Sequence, residues 1–558
     1  MDDSDLLRLE TGTTEEAVEA TRRFITKNGQ SFTFPELSHG DRRRALWTLL
    51  FARLRKTEDA ECRKNCLACI RMLSREKAEL NELVCPEWLD SLLRLAGLVS
   101  QEEALTQINK SPTQYEVMVE AQKSLCNLVF NSSVAQALCA RNHAVEGLVL
   151  RLRTYREPGL PHEVKFFDMK LLFILTALCP RVRPALREEF HGLTYLMETL
   201  DLVLKEAAGD GAACADAHPA LSDEQVALAC EVLKVLFNLT VRAGSRSPLD
   251  EEEEAHYLRL VSILHDLLLC EASSRDRLLE LHNHIVNLLV TIPGDCYEEL
   301  TTPVSRGPAQ GHPATEFLGR NVEAVVRLLD FLDHRLDLAE QNAKLQHETL
   351  SPVLTVLAES ARSQRVLRKF LRARVLPPLR DAAQRPEVGP ALRNKLCRLL
   401  TTPATHVRDL AADLLFVLCK ESVWRMVKYT GYGNAAGMFA NRGLLMGGSS
   451  SRQEEARARY SSDSEDSDTE EYKKLRDQIN PVTGCFEAPR PDPTASMTEE
   501  QKEYEAMQLV TMMDKLSRDG IVQPCRVGED GRPEPVEHIL QLVEDLPRQQ
   551  VKPRPDDE

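Results

Sequence analysis

No run in the 558-residue chain is apolar and long enough to span a bilayer, and the opening Met1-Asp2-Asp3-Ser4-Asp5 is acidic where a secretory signal is basic and then apolar. Neither a signal nor a membrane-spanning segment is expected, and the chain reads as soluble and intracellular. A basic excess is also missing: 70 Lys and Arg face 86 Asp and Glu, a net charge of -16. That excludes the general electrostatic attraction on which nucleic-acid and anionic-membrane binders depend, so a partner must meet a local patch. Paired cysteine motifs are missing as well. Of the 15 cysteines, Cys126, Cys179, Cys230 and Cys419 lie inside apolar helical runs, where a reduced thiol acts as a small hydrophobe. Cys62, Cys66 and Cys69 contain one CxxC with no second pair and no nearby histidine, so no metal site and no cofactor are expected. Catalytic signatures are absent too. There is no G-x-x-x-x-G-K-[ST], H-E-x-x-H or G-x-S-x-G, and Gly431-Tyr432-Gly433-Asn434-Ala435-Ala436-Gly437 is one residue too long for a dinucleotide fingerprint and follows a helix. An enzyme is not expected.

Strand-like alternation is nearly absent, whereas apolar residues recur at i, i+3, i+4 and i+7 over residues 14–427, broken by Pro, Gly or charged loops. The body is therefore all-α. Cys66-Leu67-Ala68-Cys69-Ile70-Arg71-Met72-Leu73, Lys123-Ser124-Leu125-Cys126-Asn127-Leu128, Lys170-Leu171-Leu172-Phe173-Ile174-Leu175, Lys234-Val235-Leu236-Phe237-Asn238-Leu239 and Ile285-Val286-Asn287-Leu288-Leu289 superpose, with Arg71, Asn127, Ile174, Asn238 and Asn287 in register. The steps of 56, 47, 64 and 49 residues exceed the roughly 40 to 47 of an armadillo or HEAT repeat. Loop insertions at 209–218 and 250–254 account for part of the excess. The expected architecture is an armadillo/HEAT-like, right-handed superhelical array over residues 1–428. A Gly-rich cap or hinge (429–448), an acidic linker (449–497), an amphipathic helix opened by the Thr498/Gln501 capping box (498–518) and a variable end (519–558) complete a partly disordered C-terminal tail.

The register places polar side chains at one point of successive helices. Lys123 and Lys234 each stand four residues before an Asn, and Lys170 holds the same position between them. With Arg71 and Arg75 they form a basic, amide-lined stripe suited to an acidic peptide or a terminal carboxylate. Equally open is the plain reading, that these residues solvate helix faces and cap neighbouring turns. Arg365, Arg368, Lys369 and Arg372 make a second basic patch, with Arg368 and Arg372 on one face, far enough along the array to hold the other end of a long ligand. In the linker, Ser462 and Ser467 each have an acidic residue three positions on, the pattern read by an acidophilic kinase.

Ile70-Arg71-Met72-Leu73-Ser74-Arg75, Ser124-Leu125-Cys126-Asn127-Leu128-Val129, Val375-Leu376-Pro377-Pro378-Leu379-Arg380-Asp381, Arg385-Pro386-Glu387-Val388-Gly389 and Lys428-Tyr429-Thr430-Gly431-Tyr432-Gly433-Asn434-Ala435-Ala436-Gly437 resemble the synembryn family. The likeness extends from Gln30-Ser31-Phe32-Thr33-Phe34 to Ile479-Asn480-Pro481-Val482-Thr483-Gly484 and Thr498-Glu499-Glu500-Gln501. The resemblance implies a chaperone and guanine nucleotide exchange factor that takes the carboxy-terminal helix of a heterotrimeric G protein α subunit in a superhelical groove, releases GDP and holds the nucleotide-free subunit until GTP binds. It implies a cytoplasmic monomer, recruited to the cell cortex or plasma membrane without inserting. It also implies that positions matching Arg71, Arg75, Asn127, Arg368 and Arg372 face the α subunit, and that Ser462 and Ser467 match acidic-site phosphorylation positions, although Ser467 stands where Thr is usual. Met438-Phe439-Ala440-Asn441 and the residues after 518 also depart from the family pattern. Thr315-Glu316-Phe317-Leu318-Gly319 leans toward the A-type paralogue, whose partners are the inhibitory, q and 12/13 classes. A nuclear-import adaptor is the rival armadillo reading. It needs Trp one turn before each Asn, where this chain has Lys123, Lys234 and Asn283, with tryptophan only at 47, 88 and 424.

Overall fold

A computed structural model describes residues 2–37, 41–100, 111–157, 159–209, 218–241, 250–304, 315–342, 346–380, 382–444, 460, 469–487, 494 and 496–519, together with the backbone of 525–527 and 533–535. The chain forms two compact units, Met1–Arg368 and Lys369–Glu558. Both are helical among the described residues, where strands are only two or three residues long.

Numbering helices of eight residues or more, the first unit holds α1 (Asp3–Thr11), α2 (Thr14–Asn28), α3 (Arg42–Lys56), α4 (Ala60–Leu73), α5 (Pro86–Leu95), α6 (Pro112–Asn131), α7 (Ala144–Leu152), α8 (His162–Leu178), α9 (Gly192–Ala208), α10 (Asp223–Thr240), α11 (Glu251–Leu269), α12 (Arg275–Leu289), α13 (Glu323–Gln341) and α14 (Gln346–Ser363). The even-numbered helices form one row in which each packs on the next from α2 to α14, while odd-numbered helices lie against them as a second row, with α9, α11 and α13 also packing in succession. This is the two-row stack of a helical repeat, in which no repeat buries its apolar face alone. Position in the row explains composition. An even helix touches a helix before it, one after it and one beside it, so α10 buries Val226, Leu228, Ala229, Cys230, Val232, Leu233, Val235, Leu236 and Leu239 nearly all round. Odd helix α5, by contrast, buries only the stripe Leu89, Leu92 and Leu93.

Helix starts follow sequence chemistry. Reciprocal capping boxes join Thr13 to Glu16, Ser111 to Gln114 and Ser222 to Gln225, satisfying amide groups that a first turn leaves free. The cysteine triplet lies on α4, fully buried. A hydrogen bond with Cys66 does most to bring the Cys62 thiol down to about 6, against burial. Cys126, Cys179, Cys230 and Cys419 are likewise buried.

In the second unit α15 (Arg365–Val375), in which the boundary falls, is followed by α16 (Leu392–Leu399), α17 (Thr405–Leu418), α18 (Val423–Thr430) and α19 (Tyr432–Asn441). The Gly-rich stretch read as a cap or hinge thus contains a helix, α19, packed on α17 and α18. Its glycines serve a close approach instead. Gly431 has φ +75°, and the hairpin formed by Ile479–Asn480 and Cys485–Phe486 lies directly on it. The Tyr432 amide donates to the Pro481 carbonyl at 2.8 Å and the Gly433 amide to Val482 at 2.9 Å. A Cβ on Gly484 (φ +70°) would stand 3.0 Å from the Gly431 Cα and 2.8 Å from Pro386 Cγ. Part of the stretch read as linker is therefore ordered. Tyr472 is buried beneath the Lys428 ammonium, and Thr469 donates to the Leu379 carbonyl at 2.5 Å. Gly484→Val is expected to cost about 2 kcal/mol through strain at that φ, exposing the Tyr432 and Gly433 amides roughly thirtyfold more often to hydrogen exchange. Unchanged exchange at both amides would refute that role for Gly484.

The last helix, α20 (Glu499–Arg518), opens with the expected Thr498/Gln501 capping box and buries no residue. Tyr504, Met507, Leu509 and Met512 are all exposed. Ser462 and Ser467 lie outside the described residues.

Candidate partner-binding surface

The even row carries the residues singled out in the sequence, and it brings them together in two layers. The lower layer is a set of stitches between successive helices. Asn127 on α6 donates to the Arg71 carbonyl of α4 at 3.1 Å, and Asn238 on α10 donates to the Phe173 carbonyl of α8 at 3.4 Å and to Thr176 Oγ1 at 3.0 Å. Asn131 adds a bond to the Ser74 carbonyl at 2.9 Å. One donor of each ladder amide is thus committed inside the stack, which is the plain reading of these residues for Asn127 and Asn238. Ile174, in register with them, is buried, and Asn287 is half-buried on α12.

Above that layer lie the cations. Arg75 sits just past the C-cap of α4; its guanidinium donates to the Gly29 and Ser31 carbonyls at 2.9 and 3.1 Å and lies 5.5 Å from the Phe32 ring. Lys123 stands 5.1 Å from the Phe167 ring, Lys170 5.5 Å from Phe166, and Lys234 4.7 Å from Phe173. Each cation therefore rests on a phenylalanine face, an attraction of about 0.5–1 kcal/mol at exposed sites. The sequence reading passed over Phe32, Phe166, Phe167 and Phe173. Only Phe166 stands one turn from its cation, Lys170, on the same helix; the other three pairings cross between elements and cannot be read along one helix.

The stripe is also less basic than the sequence suggests. Arg71 pairs with the buried Glu120, Lys123 with Glu163 at 3.1 Å, and Lys234 with Glu231 at 2.7 Å. Lys170 has no acidic partner among the described residues. Burial, and then the neighbouring Arg71 charge, lower the Arg75 pKa, so an approaching anion would relieve a strained cation.

The second patch is placed differently from a solvated charge run. Arg368 and Arg372 are 4% and 9% exposed. Arg368 donates to the Ala361 carbonyl at 3.0 Å; Arg372 donates to the Leu418 carbonyl, at the end of α17, at 2.9 Å and faces the Tyr429 ring. Both guanidinium groups thus bind carbonyls at or near helix ends.

No tryptophan joins the stripe. Trp47 is buried on α3, and Trp88 on α5 stacks on Phe51 with centroids 4.6 Å apart. At the position before Asn287, Asn283 accepts from Arg335 at 3.1 Å. A groove that clasps basic peptides between Trp faces is therefore not built on this row.

Comparison with known proteins places the chain in a family. A family model described as guanine nucleotide exchange factor synembryn matches residues 66–532. The chain is 44% identical over 540 residues to the chaperone Ric-8A of Gallus gallus, covering 96% of each chain, and 45% identical over 552 residues to the chaperone Ric-8A of Xenopus tropicalis, covering 97% of each. Among solved structures, an engineered protein aligns at 17% identity with a TM-score of 0.43, over 82% of this chain and 98% of that one. With the match running through most of its length and its relatives covering nearly all of it, this chain belongs to the guanine nucleotide exchange factor synembryn family.

Proposed function

We propose that this protein is a chaperone and guanine nucleotide exchange factor for heterotrimeric G protein α subunits, and that the carboxy-terminal helix of the α subunit docks along the even row of the first unit. The observation that carries the docking site is the cation–phenylalanine ladder Arg75/Phe32, Lys123/Phe167, Lys170/Phe166 and Lys234/Phe173. It offers apolar faces and charge-assisted donors side by side, which suits an amphipathic helix ending in a carboxylate. Exchange then needs no bond chemistry by this protein. Binding has only to favour the empty α subunit over the GDP-bound one, and GDP leaves by linkage. Arg71, Asn127, Asn238 and Asn287 shape and stiffen the row beneath the ladder, and Arg368 and Arg372 hold helix ends on which a second contact surface rests. The protein acts as a cytoplasmic monomer recruited to the membrane by its partner, and an acidophilic kinase modifies Ser462 and Ser467. No helix among the described residues is long and apolar enough to cross a membrane.

The test is GDP release from purified inhibitory-class and stimulatory-class α subunits, intact and lacking their last dozen residues. Acceleration of the intact subunit that vanishes on truncation is the expected result, and no complex with either class would overturn the reading. Arg75→Ala is expected to weaken the complex by about 1.5–3 kcal/mol, the worth of a charge-assisted hydrogen bond. Arg71→Ala mixes that loss with a buried Glu120 left only the longer contact to Lys123 at 3.9 Å, so Arg75 is the cleaner variant. An unchanged Kd for Arg75→Ala together with Lys170→Ala would move the docking site elsewhere.

A further inference from the structure

A second cluster spans α10 and α12 one turn from the ladder. Cys230 Sγ, a Glu280 carboxylate oxygen and a His284 ring nitrogen all lie within 4.8 Å of one another. Glu280 and His284 are spaced i, i+4 and so share one face of α12, while Cys230 approaches from α10. We propose that these three side chains are a Zn²⁺ site that clamps α10 to α12.

The donor set selects the ion. A thiolate, an imidazole and a carboxylate together suit zinc, whereas calcium and magnesium take oxygen ligands alone. A tetrahedral ion at about 2.0–2.3 Å from each donor requires donors roughly 3.5 Å apart, so the cluster must close by about an ångström, within reach of side-chain rotation. The surroundings are built for such closure. Arg277 donates to Glu280 Oε2 at 2.9 Å, which orients that carboxylate. Neither Cys230 nor His284 is otherwise engaged in a hydrogen bond among the described residues. Lys234 and Arg277, the nearby cations that oppose a metal ion, are themselves paired, with Glu231 at 2.7 Å and Glu280 at 2.9 Å. Cys230 is buried, His284 half-buried and Glu280 exposed, so the fourth position opens toward solvent and takes a water or a partner's side chain. Binding exchanges the Cys230 thiol proton for the metal, and the proton goes to solvent; no redox step is involved. No local pattern marks the site, because Cys230 stands fifty positions before Glu280 on a separate helix, unlike the closely spaced Cys62, Cys66 and Cys69.

Cobalt(II) titration of the reduced full-length protein reports the thiolate directly, through its near-ultraviolet sulfur-to-cobalt charge-transfer band, and zinc competes the band away. One equivalent is expected, with Cys230→Ser abolishing the band and His284→Gln or Glu280→Gln weakening binding at least tenfold. The latter two alter residues at the exposed edge and test the site even if Cys230→Ser fails to fold. Cys85→Ser, which changes a less buried thiol elsewhere, is expected to leave the band intact. Zinc is also expected to raise the thermal midpoint of the wild type and not of His284→Gln. A band that survives Cys230→Ser, one lost with Cys85→Ser, or no stoichiometric binding overturns the proposal.

Discussion

Replacing Arg151 with methionine is expected to destabilise the first unit by about 3–5 kcal/mol, the cost of leaving a buried charge without its partner. Arg151 on α7 grips Asp168 on α8 through two bonds, Nε to Oδ2 at 2.7 Å and Nη2 to Oδ1 at 2.5 Å. Gln122 of α6 donates to Oδ1 at 2.6 Å, and the Tyr155 hydroxyl lies 3.2 Å from Oδ2. Asp168 is fully buried, and burial already outweighs these donors and pushes its carboxyl pKa up. Without the guanidinium the carboxylate has no charge to balance it. Arg151 also donates to the Ala96 carbonyl at 2.6 Å, so the joint among α6, α7 and α8 loosens as a whole. Lys123 and Lys170 stand on α6 and α8, and α-subunit binding is expected to weaken with it. Urea unfolding checks the prediction, and a midpoint matching wild type would refute it. The double variant Arg151→Met with Asp168→Leu is expected to recover much of the loss, because no charge then remains buried.

Acid has a comparable effect through one histidine. His282 on α12 is 4% exposed and meets the Phe331 ring edge-on, with centroids 6.1 Å apart. Burial is the main cause that lowers its pKa from 6.5 to about 4; Arg327 acts in the same direction, and a hydrogen bond with Leu268 opposes it. Below 6.5 the unfolded chain takes up a proton there that the folded chain refuses, so stability is full above that pH and drains as pH falls toward 4. The loss amounts to about 2 kcal/mol by pH 5 and about 3 by pH 4. His162 and His334 are shifted in the same direction and add to the slope. His282→Gln is expected to be less acid-sensitive than wild type by about this margin. Parallel urea midpoints for the two proteins between pH 7 and pH 5 would show that His282 does not titrate in this way.

Much of the first unit was legible because helices announce themselves locally. The i, i+3, i+4 apolar spacing depends on residues a turn or two apart, as does the Thr498/Gln501 box that opens α20 in the second unit where the sequence puts it. The register of Asn127 and Asn238 was legible for the same reason. What those amides bond to was not, because the acceptor carbonyls belong to helices more than fifty residues earlier. The charge of the stripe misled for a related cause: Glu120 and Glu163 neutralise Arg71 and Lys123 from positions that only stacking brings near, while Glu231 pairs with Lys234 within α10. Arg368 and Arg372 show the limit most clearly. An Arg-rich helix reads as a solvated face, yet nearby carbonyls draw both guanidinium groups inward.

The sequence by itself determined that the chain is helical, that its helices repeat, and which residues stand at equivalent points of each repeat, since all three follow from periodicity within single elements. Tertiary structure alone decided which cations rest on phenylalanine rings, that Gly431 and Gly484 let a tail hairpin lie against α19, and that Cys230 meets Glu280 and His284. Apart from Lys170 and Phe166, one turn apart on α8, these are pairings between elements tens of residues apart. Their energies are short-ranged, so they exist only once packing has set the distances, and no local pattern records them.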